Sequence, residues 1–529
     1  MGALQIRDTT EHDVEAVKAL FVDAYGPDYP FTDFYDTGWL KKAVFDDDTM
    51  FLVAELDGKV LGTVSVMFAT GGLSDLIGEF GRLVVHHEAR GHHAGTELLQ
   101  TALDRVSDSV RFAFAEARTA HSGSQKILEA SGFHAVGFEP LKYKLIERES
   151  VVLYATHPAG LEDLRRNNPR VIPEIAPLAM HVLEQVGITP DVIVSDADGY
   201  PTPRPRGITN KRFLIEDLSE RGWSPLLRIE RGRVEGREVF GNLSLSHGFF
   251  KIRTQKTRYL VARDGAAILG GLGFSHDPID QKVRIFELIG FDNAVKGALL
   301  DEVDRLAREE LDAAYIEADV SAYAPELQRT LERLGFMATA YCPSMVFSEV
   351  ERLDVVRMAK LSAPYFREEI PLTDAAGKTR DIVEFSMLDR REGRDIFRAA
   401  GATSIFSGID EGDTYHLARI GRMRDIADGE RLIQKGEAGD RVFVLVSGEL
   451  RVSVGDREVG RIAAGETVGE MSLLDENPRS ANVIAAGDCR VLEILGTDLQ
   501  ELMARRPRLG MALMRNLAVN LSAKLRGAD

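Results

Sequence analysis

Met50–Phe68 reads MFLVAELDGKVLGTVSVMF, and Arg258–Phe274 reads RYLVARDGAAILGGLGF. Each is an apolar run, an Asp-Gly pair and a second apolar run, the pattern of a β-hairpin. In the first, Met50–Glu55 and Val60–Met67 are the strands and Asp57-Gly58 is the turn. A second pair follows the same logic. FAFAEARTAHSGSQKILEASGF (Phe112–Phe133) is echoed by YIEADVSAYAPELQRTLERLGF (Tyr315–Phe336), with Gln125 matching Gln328 and Gly132-Phe133 matching Gly335-Phe336. A repeat this long means two copies of one domain, because solenoid units are shorter.

Around the first pair the chain alternates. Thr10–Tyr25 has helical spacing through Val14, Val17, Leu20 and Phe21; Glu79–His86 is a strand, Glu88–Gly95 a loop, and Thr96–Val106 a helix. A strand at Val110–Ala117 and a helix at Gly123–Ser131 complete the copy. Arg148–Gln255 reads as an enlarged first half of the second copy, with a helix near Ile175–Gln185 and a stiff loop at Tyr200–Gly207. From Arg431 to Leu495 short strands broken by glycines predict a small antiparallel barrel or sandwich, and Asp498–Arg526 is helical with a break at Pro507. The expected class is α/β or α+β and multidomain. Two mixed-sheet domains (1–147 and 148–358) are followed by a linker (359–400), then a β-barrel or jelly-roll domain with a C-terminal helix (401–529).

Bulk properties narrow the function classes. A net charge of −18 repels phosphate backbones, so no nucleic-acid partner is expected. Two distant cysteines, Cys342 and Cys489, argue against a disulfide framework and for a reducing compartment. The N-terminus lacks an apolar signal core and no run reaches membrane-span length, so a cytoplasmic protein without a membrane partner is expected.

The strongest motif is GETVGEMSLLDENPRSA, Gly465–Ala481. Gly469 lets the backbone approach a ligand, and a turn starting there (Gly469, Glu470, Met471, Ser472) aims N–H groups at one anion. Arg479 can fork onto phosphate oxygens, Glu470 can accept from a ribose hydroxyl, and Ser480 with Ala481 closes the cassette. At these residues the chain resembles the cyclic-nucleotide-binding domains of catabolite activators and protein-kinase regulatory subunits. The resemblance implies cAMP or cGMP as effector, with Glu470 on the ribose and Arg479 on the cyclic phosphate. The chain runs only a few residues past its last helix, so no DNA-binding helix-turn-helix is expected. The apolar positions of Asp498–Arg526, from Leu499 to Leu521, lead us to expect a homodimer through the last helix, Arg508–Arg526.

The first copy carries GRLVVHHEARGHHAGTELL, Gly81–Leu99. A strand, a tight loop and a helix start make a pyrophosphate cradle from loop N–H groups and the helix dipole. Small residues at Gly91, Ala94 and Gly95 favour close approach. This resembles the GNAT superfamily of N-acetyltransferases. The resemblance implies acetyl-CoA held by Val84, Val85, Arg90, Gly91, His92, His93, Ala94, Gly95, Thr96 and His121. Three positions depart from its pattern. His93 replaces the central glycine, Leu128 a common tyrosine acid, and His121 a common asparagine.

The implied reaction is direct attack of an amine, from a small molecule or a protein lysine, on the thioester. A base must first deprotonate that amine. Glu79 is the first choice and Glu116 the alternative. The second copy's loop, Phe291–Gly297, lacks the arginine and glycines and holds Asp292, so that copy is expected to be non-catalytic. His86, His87, His92 and His93 crowd one loop with no partner cluster in sequence, and no metal is expected. A non-enzymatic sensing scaffold built on inactive acetyltransferase folds is the alternative to a regulated enzyme.

Overall fold

Both repeated hairpins form. β2 (Thr49–Leu56) and β3 (Lys59–Thr70) pair antiparallel around Asp57-Gly58, both residues at positive φ, as a two-residue turn demands. The structure, a computed structural model, describes residues 4–26, 32–70, 75–89, 91–144, 147–161, 164–202, 213–218, 238–241, 256–362, 365, 369–386, 403–409, 420–455, 457–470 and 478–526. They divide into two units, Met1–Glu384 and Phe385–Asp529.

In the first unit, the first copy runs β1 (Gln5–Asp8), α1 (Val14–Tyr25), α2 (Thr37–Val44), β2, β3, β4 (Ile77–Val85), α3 (Ala94–Val106), β5 (Phe112–Arg118), α4 (Gly123–Ala130), β6 (His134–Lys144) and β7 (Arg148–Thr156). Next, β8 (Arg170–Val171) and β9 (Ile193–Val194) pair in parallel on either side of α5 (Ala176–Gln185). The second copy comprises β10 (Leu214–Leu218), β11 (Val239–Phe240), β12 (Lys256–Asp264), β13 (Ala267–Asp277), β14 (Lys282–Gly290), α6 (Asn293–Glu309), β15 (Tyr315–Ser321), α7 (Pro325–Arg333), β16 (Met337–Ser348) and β17 (Glu351–Leu361). A last helix, α8, covers 374–386.

All these strands except β8 and β9 join one sheet, in the order β1-β2-β3-β4-β5-β7-β6-β16-β17-β15-β14-β13-β12-β10, with β11 added to β15. The second half is the first half reversed, so the copies meet edge to edge at β6 and β16. The seam is tight. Gly137 pairs with Ala340, and a Cβ on Gly137 would lie 2.3 Å from the Ala340 Cβ.

Two expected boundaries move. Arg148–Thr156 was placed in the second domain, but as β7 it lies between β5 and β6 and completes the first copy's sheet. The expected linker, 359–400, begins inside β17 and continues as α8, whose Ala376, Thr379 and Val383 are buried. The matched glutamines explain both tails. Buried Gln125 on α4 donates to the Pro371 carbonyl (3.2 Å) and accepts from the Thr373 N–H (3.1 Å). Buried Gln328 on α7 does the same to Arg170 (3.2 Å) and Ile172 (3.1 Å). Each copy's outgoing chain is thus pinned to the other copy, just before α5 in one case and α8 in the other.

In the second unit, β18 (Gly421–Ile426), β25 (Cys489–Leu495), β20 (Arg441–Ser447) and β23 (Thr467–Val468) form one sheet. β19 (Arg431–Ile433), β24 (Asn482–Ala485), β21 (Leu450–Val454) and β22 (Arg457–Ile462) form the other. Ile426, Phe443, Leu445, Leu450 and Val491 fill the core between them. The helical segment breaks at Pro507 into α9 (Gly496–Arg505) and α10 (Pro507–Arg526). Leu509, Leu513 and Leu517 of α10 pack on Ile405, Leu499 and Leu502, while Met511, Met514 and Val519 are exposed. Among the described residues no helix is long and apolar enough to cross a membrane.

Candidate functional site

β4 and β5 run parallel, but their pairing stops early. Ile77–Phe80 pair with Phe112–Ala115, and beyond them the strands part. Gly81–Val85 stay attached to β3 alone, and among the described residues no strand takes the facing edge of Glu116–Arg118. The result is a wedge with backbone polar groups along both walls. It is open at its floor: a Cβ on Gly81 would meet nothing nearer than the Glu79 carboxylate, 3.9 Å away.

α3 starts at Ala94, two residues earlier than its sequence predicts. Its N-cap residue His93 makes no side-chain bond to the helix end, so the first N–H groups have no intrahelical partner and point outward. His93 has φ +56°, the left-handed conformation that glycine would supply at the position where the resemblance has glycine. Gly91 (φ +86°) has open space where a Cβ would be, and Gly91, His92 and His93 are exposed. Ala94 and Gly95 are buried instead. A Cβ on Gly95 would lie 2.8 Å from Ile127 Cδ1, so its smallness serves the packing of α3 on α4 rather than the mouth of the loop. Thr96 is half-buried, and Arg90 lies outside the described residues. His121 caps α4, its Nδ1 accepting the Gly123 N–H at 3.2 Å.

Glu79 and Phe80 are neighbours on β4 and face opposite ways. Phe80 packs edge-on against Phe133. Across β4, Val84 joins the cluster of Val17, Phe21 and Trp39 formed by α1 and α2. Glu79 Oε1 accepts from Arg82 Nη1 (3.0 Å), and Arg82 Nε donates to Ser65 Oγ (2.6 Å). Arg82 has φ +52° where β3 and β4 lose register, so a bulge turns its guanidinium back onto Glu79. Sequence reading missed Arg82 and Ser65, since nothing local marks a bulge.

Glu116, the alternative base, is ruled out by its surroundings. Lys142 Nζ sits 2.7 Å from Glu116, 3.0 Å from Glu139 and 3.4 Å from Glu317; Tyr143 also donates to Glu116, and Arg357 Nη1 lies 3.7 Å away. Burial alone would raise the Glu116 pKa, but Lys142 and Arg357 outweigh it and hold the carboxyl at about 2. Arg357 and Glu317 come from the second copy, so this cluster welds the seam. No local pattern could reveal it: Arg357 and Glu139 are 218 residues apart in sequence. At the end of β4, His86 and His87 do find a third group, Asp23 on α1, with donor atoms within 4.8 Å of one another.

In the second unit Glu470 and Arg479 are both buried. Arg479 donates to the Gly469 carbonyl (2.9 Å) and the Arg441 carbonyl (2.6 Å). Gly469 has φ +87°, and a Cβ there would sit 2.6 Å from Arg479 Nη1, so the glycine sets the contact. Ser480 is exposed and Ala481 half-buried; Met471 and Ser472 lie outside the described residues.

Comparison with known proteins finds a match in each unit. Residues 14–133 match the Acetyltransferase (GNAT) family, and residues 423–506 match the Cyclic nucleotide-binding domain family. The first copy is therefore similar to the acetyltransferase family and the second unit to the cyclic nucleotide-binding family. It is 34% identical over 106 residues to the Cyclic AMP receptor protein of Thermus thermophilus (19% of this chain, 47% of that protein). It is 38% identical over 87 residues to the cAMP-dependent protein kinase regulatory subunit of Mycosarcoma maydis (16% and 17%). It is 23% identical over 262 residues to Glutaminase 1 of Bradyrhizobium diazoefficiens (46% and 41%). The chain spans less than half the length of these relatives. A solved structure, the Thermus thermophilus Catabolite Activator Protein, aligns at 30% identity over 24% of this chain and 60% of that one, with a TM-score of 0.22.

Proposed function

We propose that the first copy is an acetyl-CoA-dependent N-acetyltransferase whose rate is set by a cyclic nucleotide bound in the second unit. The observation that carries this reading is the open β4/β5 wedge ending at the uncapped N-terminus of α3, with the Glu79 carboxylate on the adjoining strand. The wedge suits an arm bearing amides, which would pair with the strand edges at Val84 and Val85. The α3 N–H groups and the loop at Gly91–His93 suit a pyrophosphate.

The reaction is acyl transfer. Glu79, held by Arg82 through Oε1, takes a proton from the acceptor ammonium, and the freed amine attacks the thioester carbonyl. A strand N–H stabilises the oxyanion. The tetrahedral adduct gives up its remaining ammonium proton to water and collapses with cleavage of the carbon–sulfur bond, giving an amide and the thiolate of CoA, which solvent protonates because Leu128 stands where a tyrosine acid would be. The acceptor is an amine of a small molecule or a protein lysine.

In the second unit, Arg479 leaves its two carbonyl partners for the cyclic phosphate and Glu470 accepts from the ribose, with cAMP or cGMP as ligand. The exposed stripe of Met511, Met514 and Val519 fits a second copy of the chain, giving a homodimer through α10. The test is acetyl-CoA binding by calorimetry with and without cAMP. Acetyl-CoA binding that shifts with cAMP supports the reading, cAMP binding without acetyl-CoA binding defeats it in favour of a sensing scaffold, and no binding of either ligand defeats both.

A further inference from the structure

The second copy has the same wedge, and it is full. β14 and β15 pair in parallel over Lys282–Ile285 and Tyr315–Ala318, four pairs in the same register as Ile77–Phe80 and Phe112–Ala115. Beyond that point the strands part, as in the first copy. Into the gap comes β11, with Val239 pairing with Val320 and Phe240 with Asp319. The Ser321 N–H donates to the Glu238 carbonyl at 2.8 Å. On the other wall, Gly241 lies so close to β14 that a Cβ would be 2.3 Å from Phe286 Cβ. Phe286 occupies the register position of Gly81, where the first copy has open space.

The helix end is filled too. Asp292, the N-cap of α6, accepts from the Val295 N–H at 2.8 Å, so a carboxylate sits where the first copy leaves α3 uncapped. Glu238 is clamped at both oxygens, by Tyr200 (2.6 Å) and Lys296 (2.5 Å). The Pro201 carbonyl covers Gly297, 2.2 Å from where a Cβ would be. Arg284 stands at the register position of Glu79 and pairs with Asp319 at 2.9 Å.

We propose that the second copy's cleft is a binding site whose ligand is the chain itself. Residues 238–241 take the place of an amide-bearing arm, and the Asp292 carboxylate takes the place of a phosphate. The second copy then holds no acyl-CoA. It serves as a permanently loaded partner that completes the sheet and lends Arg357 and Glu317 to the seam. The assignment of an acyl-CoA arm rests on the function proposed above; the filling of the cleft does not.

The test counts coenzyme A bound per full-length chain by equilibrium dialysis, and follows hydrogen exchange at Val239 and Phe240 by mass spectrometry. We expect one coenzyme A per chain, none after His93→Asp in the first copy, and slow exchange at 239–240 whether or not coenzyme A is present. Two per chain, one remaining after His93→Asp, or exchange at 239–240 at the rate of an open chain each overturns the proposal. No binding in the parent, with 239–240 still protected, sinks the acetyltransferase reading and leaves the self-filled cleft standing.

Discussion

Replacing Lys142 by methionine removes the ammonium that touches Glu116, Glu139 and Glu317 while keeping the side-chain volume. In the parent the ammonium is 2% exposed and within 3.4 Å of all three carboxylates. Breaking a buried ion pair from one side costs about 3–5 kcal/mol, and here the carboxylates lose their nearest counter-charge and keep the guanidinium of Arg357. With a urea m-value of about 3 kcal/mol/M, the unfolding midpoint of the first unit drops by about 1–2 M at pH 7. The pH dependence tests the mechanism. In the parent, the Glu116 carboxyl is held below its unfolded value. Its contribution is present above an unfolded pKa of about 4.3 and fades only as pH falls towards 2. Burial already holds Glu139 above its ordinary value in the parent; without the ammonium Glu139 rises further and Glu116 loses much of its depression. Glu139 then favours the fold below about pH 4.3 and opposes it as pH rises, while the Glu116 contribution above that pH shrinks. The gap between parent and variant should widen from pH 4 to pH 7 in urea titrations followed by tryptophan fluorescence. A gap under about 1 kcal/mol at pH 7, or one that narrows with rising pH, would refute the account of the seam.

Four further outcomes follow from the geometry. Arg479→Ala removes a charged donor worth about 1.5–3 kcal/mol, so cyclic-nucleotide affinity measured by calorimetry falls about 10- to 150-fold while the variant still unfolds cooperatively; an unaltered affinity would place the ligand elsewhere. Glu79→Gln lowers the acetyl-transfer kcat by about 10²–10⁴-fold while acetyl-CoA affinity is retained; an unchanged kcat means another base. Met511→Glu with Met514→Glu converts a dimer to a monomer in sedimentation velocity, and an unchanged mass in parent and variant contradicts the α10 interface. His93→Gly relieves a left-handed residue at φ +56° and stabilises the first unit by about 1 kcal/mol in urea titration, and no gain would contradict strain at that position.

The repeat was legible because strand and helix periods, Asp-Gly turns and paired Gly-Phe endings are local features that two copies display twice. The effector cassette was legible for a similar reason: Gly469, Glu470 and Arg479 lie within one short run. Boundaries were harder. β7 looks like the start of something new because it follows a turn, yet it inserts between β5 and β6, a non-local pairing that no window of sequence reports. α8 read as linker because its buried face is short and mixed, with Thr379 among Ala376 and Val383. Glu79 was chosen by its place before an apolar strand. The Arg82 that holds it and the Arg357 that disqualifies Glu116 were not, since one depends on a bulge and the other on the meeting of two copies. The filling of the second cleft had a visible half, Asp292 in the loop, and a hidden half, the strand Val239–Phe240, too short to carry a period.

The central claim is that cyclic nucleotide in the second unit controls acetyl transfer in the first. The most direct measurement is the rate of CoA release from acetyl-CoA with an amine acceptor, with and without saturating cAMP or cGMP, in the full-length parent and in Arg479→Ala. The account predicts a parent rate that changes with nucleotide and an Arg479→Ala rate that does not. Equal rates in the parent under all conditions, or no CoA release in any, would contradict it.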